Sequence, residues 1–483
     1  MNWKHRSNCS ANNYVCNDPK KANSTNTRTD AMMKISPGRC LRFMLLAAIL
    51  LGCAVSFAQD AKPTAPDKTE SPSPLVSFNR ALPNCLRFSG EFRDRVEGRT
   101  AYGFRSRAND GYDLTRFRLN LELTPRKWLR GFVQAQDARA PGIDPIHLNT
   151  TLKDIFDLRQ AYLQVKNGEN GRVSLLVGRQ ELIYGAERLV GALDWNNTAR
   201  SFDAVRLVFG WEKARVDVFA SSIVKIKMSQ VDNHVPGENL YGIYGSLRDA
   251  VPQATFEPYV LWKTIPRVKS EEGRVGDADI FTVGARLIGN LPGGFDYALE
   301  MARQGGHSSN DDIAAWAGYW IAGYALPSVT LKPHFSIEYD YATGDARQGD
   351  GKVGTFDQLY PTNHAYYGIA DQVGWRNIRD LRTGADVKPR ARLKAACDYH
   401  FFWLASAHDG LYNAGGALVV RPPAPGTAHR DVGREIDVYL TYAPLKSVSF
   451  GAGFAHLFPG RFLKENSPGS GTSFPYAFLT YRF

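Results

Sequence analysis

Polar and apolar residues alternate with a period of two along most of the chain, in segments of about ten residues that begin near Leu86. In residues 115–123, for example, the apolar set is Phe117, Leu119, Leu121 and Leu123. Successive side chains of a β-strand point to opposite faces, so this pattern predicts strands with one apolar face. Helical periodicity is weak throughout, which makes the predicted fold class all-β.

The connections between these segments alternate between short and long. Eight tight turns alternate with nine longer segments, which together separate eighteen strands. The longer segments span 96–111, 139–153, 185–202, 224–238, 264–278, 304–310, 343–370, 405–432 and 458–473. An even strand number with turns on one side and loops on the other is typical of a single transmembrane antiparallel β-barrel, with short periplasmic turns and long extracellular loops. The strand near residues 374–383 is predicted mainly because the number of strands must be even, since its own residues alternate poorly.

The two predicted faces differ in charge. One face rarely carries a charge, as contact with lipid requires, whereas the other carries nine basic and nine acidic residues. The basic candidates for lining a lumen are Arg93, Arg116, Arg118, Arg130, Arg206, Arg215, Lys332, Arg392 and Lys394. The main acidic candidates are Glu122, Glu338, Asp340, Asp398 and Asp437. A soluble sandwich with one wet face is the alternative, but a wide barrel with a water-filled lumen accommodates inward charges better.

The N-terminal region predicts export. An apolar run at residues 43–57 follows several basic residues and ends at Ala58, which is typical of a signal peptide cleaved near Ala58. A membrane anchor and a lipoprotein site at Cys53 are the alternatives, and translation could begin at Met32 or Met33. The predicted organisation is therefore an extension plus signal peptide (1–58), a Pro-rich flexible periplasmic tether (59–84) and an outer-membrane barrel (85–483).

Removal of the leader changes the charge balance. Residues 1–58 hold eight Lys and Arg and two Asp and Glu, so the net charge falls from +11 to +5 without them. The basicity that would support nucleic-acid binding therefore belongs largely to the leader, and we expect no nucleic-acid partner.

Two long motifs carry a family resemblance. Residues 177–207 read VGRQELIYGAERLVGALDWNNTARSFDAVRL, with a Gly-Arg-Gln strand end followed by a loop centred on Asp194–Val205. A second stretch, residues 356–380, reads FDQLYPTNHAYYGIADQVGWRNIRD, and residues 402–414 form a third. These motifs, in this order, resemble the alginate export family of outer-membrane porins, and the resemblance spans nearly the whole predicted mature chain.

The resemblance implies an eighteen-stranded monomeric barrel that passes a polyuronate through a positively charged lumen. Arginine suits carboxylates because its planar fork can bond both oxygens. The best candidates for a basic stripe are Arg116 with Arg118 on one strand, and Arg392 with Lys394 on another. The alternative is that these charges pair with Glu122 and Asp398 and have no role in transport.

The loop of the first motif has two interpretations. It could fold through its own hydrogen bonds, with Arg200 holding Asp203 or Asp194, or it could fold inward and narrow the pore. Asp194, Arg200 and Asp203 are therefore the constriction candidates. Aromatic residues near strand ends, Trp262 and Tyr476 among them, are expected in interfacial girdles.

No pattern predicts catalysis or a cofactor. The sequence contains no G-x-S-x-G, H-E-x-x-H or C-x-x-C motif. Acidic segments at 310–312 and 345–350 lack a complete Ca²⁺ ligand spacing, so no metal is predicted.

The predicted function is that of an outer-membrane channel for passive diffusion or export of an anionic polysaccharide such as alginate, or related anionic sugars. A general or solute-specific nutrient-uptake porin is the alternative, and a barrel enzyme or adhesin is a third class. Expected partners are outer-membrane lipid, periplasmic polysaccharide-export components and the barrel-assembly machinery. The last of these would read the terminal Phe483, which ends a strand with apolar residues at every second position.

Overall fold

The computed structural model describes residues 74–483, except 170, 423 and 425. The predicted signal peptide, its cleavage near Ala58, the alternative lipidation of Cys53 and residues 59–73 of the predicted tether lie outside the described residues.

Eighteen strands form one closed antiparallel barrel, which confirms the predicted fold class. They are β1 (Leu86–Arg99), β2 (Asp110–Arg126), β3 (Leu129–Arg139), β4 (Asp154–Lys166), β5 (Val173–Gln180), β6 (Phe202–Gly210), β7 (Ala214–Lys225), β8 (Asn233–Arg248), β9 (Ala254–Lys269), β10 (Val275–Leu291), β11 (Phe295–Ser308), β12 (Asp311–Ala325), β13 (His334–Ala342), β15 (Ile378–Arg390), β16 (Leu393–Leu404), β19 (Asp431–Tyr442), β20 (Val448–Pro459) and β21 (Thr472–Arg482). Short strands β14 (Lys352–Val353), β17 (Leu411–Tyr412) and β18 (Leu418–Val420) lie in the connections, as does helix α2 (Arg461–Asn466). Helix α1 (Pro74–Ala81) precedes the barrel.

The ring closes where the last strand meets the first. β21 pairs with β1 in antiparallel register from Glu91↔Arg482 to Glu97↔Tyr476. Phe483 extends the pairing, because it exchanges both backbone hydrogen bonds with Gly90 at 2.9 and 3.1 Å. A Cβ atom at Gly90 would lie 2.4 Å from the Phe483 ring, so only glycine leaves room for the terminal aromatic.

The connections are short on one side, the turn side, and long on the other, the loop side. The longest ones on the loop side join β5 to β6 (181–201), β13 to β15 (343–377) and β16 to β19 (405–430). The strand that parity required is β15, which begins at Ile378 and continues to Arg390. Its N-terminal half alternates poorly because the apolar Ile378 is buried on the inward face while Arg379 lies on the outward face, over the Tyr341 ring.

An apolar band covers the outside of the barrel. Its exposed side chains come from strands all around the ring and include Leu119, Val133, Leu163, Val205, Ile243, Val283, Ile337 and Phe454. An apolar surface of this extent is unfavourable in water, so it indicates contact with lipid. Tyr476 is an exception to the predicted girdle, because it is buried and its ring lies 4.9 Å from that of Trp195 inside the barrel.

The end of the predicted flexible tether is ordered on the barrel wall. Residues 74–81 form helix α1, and the Asn79 side chain exchanges two hydrogen bonds of 2.7 and 2.8 Å with the backbone of Phe88. Within the described residues, no helix is long and apolar enough to span a membrane.

Candidate functional site

The connection between β5 and β6, residues 181–201, folds into the barrel and is called the inward loop here. Its Tyr184 ring stacks on Phe219 of β7 at 5.2 Å, and Arg188 forms ion pairs with β13. Asn197 donates hydrogen bonds to three carbonyl oxygens around β2, β3 and β4, each at 3.0–3.1 Å. Because these contacts lie on well-separated parts of the ring, the loop lies within the lumen.

The connection between β13 and β15, residues 343–377, is the second loop and packs against the inward loop. Val190 and Tyr360 form a parallel bridge, and the amide of Gly191 donates to the Tyr360 carbonyl at 2.9 Å. Trp375, Tyr367 and Phe356 of the second loop are fully buried. The two loops therefore form one packed body that fills much of the lumen.

Arg200 joins the two loops rather than holding an aspartate. Its guanidinium donates to the carbonyls of Gly191, Tyr360 and Pro361 at 3.1, 2.5 and 3.1 Å. The predicted pairing of Arg200 with Asp203 or Asp194 is thus wrong, because the loop turns its backbone carbonyls toward this side chain. Burial lowers the pKa of Arg200 to about 10, so it remains charged at neutral pH.

Arginines of β1, β2 and β4 form a basic surface, the arginine wall, made of Arg93, Arg95, Arg116, Arg118 and Arg159. Arg93 and Arg116 each donate to the Asp194 carbonyl at 3.0 Å, and Arg95 donates to the Trp195 carbonyl at 2.6 Å. The Arg95 guanidinium also lies 4.0 Å from the centre of the Trp195 ring, within the range of a cation–π contact. The wall thus holds the inward loop largely through its carbonyl oxygens.

Asp194 inserts its carboxylate between two of these arginines. Its Oδ1 lies 3.2 Å from Arg116 and 2.8 Å from Arg118, although 53% of the side chain remains accessible. Enclosure in the barrel opposes ionisation of Asp194, but Arg116 and Arg118 outweigh it and hold the pKa of this carboxyl below its usual range. The carboxylate is therefore ionised at any physiological pH.

A second charged surface, the carboxylate wall, lies across β13, β15 and β19. It consists of Glu338, Asp340, Asp380, Glu435 and Asp437, which are all buried. Arg188 of the inward loop donates to Asp340 at 2.7 Å and also to Glu338. Glu435 and Asp437 accept the backbone amides of residues 370 and 369 in the second loop, at 2.9 and 3.1 Å. This wall therefore holds both loops through N–H donors.

Arg188 is the most enclosed of the loop anchors. Its guanidinium lies between the rings of Tyr319 and Tyr366, 4.0 and 3.9 Å from their centres. Desolvation acts to lower its pKa, but the carboxylates of Glu338 and Asp340 raise the pKa of Arg188 well above its usual value. The charge of this anchor is fixed across all working pH values.

A cavity of about 600 Å³ lies between the inward loop and the wall of β9–β12. It opens toward the turn side, because Gln253 and Asn290 border it beside the short turns. Arg188 and Arg286 contribute its guanidinium groups, and Arg286 pairs with Glu257 at 2.6 Å.

Other predicted lumen residues form local ion pairs on the wall. Arg130 lies 3.0 Å from Glu122, so Glu122 is the partner of Arg130 and not of Arg116 or Arg118. Arg206 and Arg215 both bind Asp217, at 2.6 and 2.7 Å. These pairs do not touch Asp194.

Three predicted positions differ from the structure. Lys332 and Arg392 lie in turns rather than on strands, because the alternation continues into the turn residues, and both are exposed. Lys394 lies at the turn-side rim, 3.6 Å from Asp386. The predicted stripe of Arg392 and Lys394 is therefore interrupted, because Lys394 lies on the inward face of β16 at the rim whereas Arg392 lies in the turn.

Two more predicted residues have partners other than those expected. Asp398 accepts a hydrogen bond from the Tyr439 hydroxyl at 2.9 Å and does not pair with Lys394. Asp203 pairs with Arg179 at 2.8 Å, outside the contact between Asp194 and the arginine wall. Asp203 therefore lies on β6, directly after the end of the inward loop.

Several residues of the two walls escaped the sequence prediction. Arg95 shares the face of Arg93 on one strand, so extending the alternation by one step identifies it. Arg159 likewise falls on the inward face of β4. Arg188 lies in a loop, where no periodicity reports on direction.

A closed barrel with an apolar outer band, an inner surface of charges and long loops folded inward defines an outer-membrane channel of the porin class. The alginate export family model matches residues 84–476, and the chain belongs to this family. The family and the barrel place the protein in the outer membrane and are those of a channel rather than an enzyme.

Solved structures with the same fold come from Pseudomonas aeruginosa. OpdO is 15% identical, with a TM-score of 0.57 over 84% of this chain and 98% of that one. The outer membrane protein OpdK is 11% identical, with a TM-score of 0.55 over 82% and 98%, and OprD is 10% identical, with a TM-score of 0.54 over 82% and 93%. No curated protein matches the sequence significantly.

Proposed function

We propose that this channel passes an anionic saccharide, such as alginate or related anionic sugars, and that the arginine wall binds its carboxylates in transit. The observation that carries the proposal is the convergence of Arg93, Arg116 and Arg118 on the carboxylate and carbonyl of Asp194. The Asp194 carboxylate then occupies the place that a uronate carboxylate takes during transport.

The distribution of charge supports this proposal. Four carboxylates, Glu91, Glu97, Glu181 and Asp194, pair with four of the five arginines of the wall, whereas Arg93 donates to backbone carbonyls, so the wall keeps an excess of positive charge. Buried N–H groups of Arg93, Arg116 and Arg118 have no hydrogen-bond partner and become available to an anion that displaces the Asp194 carboxylate. Each exchange of Asp194 for a hydrated substrate carboxylate changes the binding free energy by only about 1 kcal/mol, which attracts a polymer and still permits release.

Single-channel recording in planar bilayers tests the proposal. We expect wild-type channels to favour anions and to be blocked by oligomannuronate but not by uncharged dextran of the same length. Arg116→Ala combined with Arg118→Ala removes two contacts of about 1 kcal/mol each, so block should weaken about 30-fold. Arg392→Ala is the control, because it removes a charge in a turn outside the inner surface. Oligomannuronate should block this variant as strongly as it blocks the wild type.

Other results would contradict the proposal. Cation selectivity without block by oligomannuronate would favour a general or solute-specific uptake porin. Sustained hydrolysis of a lipid or ester by the pure protein would favour the barrel enzyme. Because a passive barrel does not impose direction, flux from both sides of the bilayer is expected under opposite gradients.

A further inference from the structure

Three carboxylates meet on the loop side of the barrel, away from the two charged walls. Asp154 and Asp157 lie at the start of β4, and Asp232 lies in the connection between β7 and β8. Their carboxylate oxygens lie within 4.8 Å of one another. The side chains are strongly enclosed, with exposures of 3%, 7% and 8% for Asp154, Asp157 and Asp232.

The hydrogen bonds around this group leave oxygen atoms free. Asp157 accepts the amides of Leu158, at 2.5 Å, and of Asp232. Asp232 accepts the amide of Lys227 at 2.6 Å. Asp154 differs, because its buried Oδ1 has no hydrogen-bond partner, and one of its carboxylate oxygens lies within 4.8 Å of those of Asp157 and Asp232.

The cationic side chains nearby are bound to other carboxylates. Arg179 binds Asp203 at 2.8 Å and reaches Asp232 only at its backbone carbonyl, at 3.1 Å. On the other side, Arg139 binds Asp137 at 2.6 Å. Among the described residues, no ion pair involves the three carboxylates, so the group is enclosed without a directly paired cation. Buried charges of this kind are normally paired or coordinate a metal ion.

We infer that Asp154, Asp157 and Asp232 bind one Ca²⁺ ion. Calcium accepts six to eight oxygen ligands in flexible geometry, and backbone carbonyls and water can complete the set around three carboxylates. Magnesium demands a near-ideal octahedron and retains its water, which an enclosed group of carboxylates suits less well. This site lies outside the sequence prediction, because segments 310–312 and 345–350 contribute no group of three ligands among the described residues.

The position of the ion gives it a structural effect. β5, with eight residues, is the shortest strand of the ring and β6 has nine, and the connection of residues 226–232 passes over both to reach β4. The ion would fasten this connection to the wall directly after residues 149–153. Those residues supply the carbonyls that hold Asn197 and Thr198 of the inward loop. Bound calcium would therefore stiffen the anchorage of the inward loop, independently of what passes through the channel.

Calorimetric titration of the full-length protein in detergent, after chelation and desalting, tests the site with CaCl₂ as the probe. We expect one Ca²⁺ per chain and a calcium-dependent rise in the thermal midpoint. Asp154→Asn should weaken binding at least tenfold, and Asp154→Asn with Asp232→Asn should abolish it. Protease cleavage within residues 226–232 should become faster when calcium is removed.

The control is Asp277→Asn, which alters a second acidic group, Asp277, Asp279 and His307, that is more exposed. This variant should bind calcium as the wild type does. Heat-modifiable migration shows whether each barrel is folded, and Asp232→Asn, in a connection outside the strands, tests the site if Asp154→Asn does not fold. A folded wild type that binds no calcium, or Asp154→Asn and Asp232→Asn variants with wild-type affinity, would overturn the inference.

Discussion

Replacing Arg188 by methionine should loosen the inward loop without unfolding the barrel. The guanidinium is fully buried, pairs with Glu338 and Asp340, and lies between two tyrosine rings. Arg188→Met keeps most of the packing volume but leaves two buried carboxylates without this partner. Breaking a buried pair in this way costs about 3–5 kcal/mol.

The cost should fall on the loop, because Arg188 contributes nothing to the strand ladder. A loss of about 4 kcal/mol corresponds to an increase of roughly 900-fold in the equilibrium constant for displacement of the inward loop. Asn197 and Arg200 still anchor the loop at its other end, so the expected state is partial release. The measurement is the frequency of high-conductance openings in planar bilayers, with protease cleavage within residues 181–201 as a second readout.

A compensated variant separates charge from packing. Arg188→Met with Asp340→Asn removes the carboxylate that is stranded by the loss of Arg188, since Glu338 still pairs with Arg382, so loop closure should recover by at least half. Arg130→Met is the matched control, because Arg130 pairs with Glu122 at a half-exposed position and contributes at most about 1 kcal/mol. If channels of Arg188→Met open as rarely as those of the wild type, or if the double variant opens more often than the single one, the reasoning is refuted.

Three further results are expected. Asn197→Ala removes an amide group that donates to three partly buried carbonyl oxygens and should destabilise loop anchorage by about 2–3 kcal/mol, measured as faster protease cleavage of the inward loop, whereas unchanged cleavage would contradict it. Gly90→Val places side-chain atoms where the Phe483 ring lies, so the yield of heat-modifiable barrels should fall sharply, with Gly131→Ala, which has only contacts of 3.9 Å, as the tolerated control. Burial and a hydrogen bond to Asp345 raise the pKa of Glu271 to about 7, so this carboxyl is neutral in the folded protein at pH 5.5 and ionised above pH 8. Because the folded state holds this proton more tightly, the contact between Glu271 and Asp345 of the second loop should weaken as pH rises through 7, seen as faster amide exchange near residue 345 after correction for base-catalysed intrinsic exchange, and Glu271→Gln should remove that dependence.

The sequence was sufficient to predict the barrel, because alternate residues of each strand contact lipid and face the interior and must therefore differ in polarity. Leu119 and Ile337 face lipid while Arg118 and Glu338 face inward, and a period of two records that difference directly. Parity supplied the weakest strand, β15, which alternation alone would have missed. Boundaries were less certain, and Lys332 was placed on a strand because the alternation did not stop at the turn.

The arrangement of the inner charges could not be predicted in the same way. Asp194 and Arg116 are 78 residues apart, and their contact depends on the path of a loop that has no periodicity. Arg188 carries no pattern at all, although it proves to be the most enclosed anchor. Strand register determines which wall residues are neighbours, whereas loop conformation determines which of them remain available to a ligand.

The two charged walls hold the loops by opposite halves of the peptide group. Arginines of β1 and β2 bind carbonyl oxygens of residues 194–196, whereas Glu435 and Asp437 bind amides of residues 369 and 370. An anion competes with carbonyl oxygens and with Asp194 for arginine, but the carboxylates of the other wall repel it from the N–H donors that they hold. A polyanion that enters the lumen therefore weakens one side of the loop body and leaves the other side attached. Under the proposed function, the carboxylate wall keeps the loops tethered while the arginine wall exchanges its internal ligands for those of the substrate.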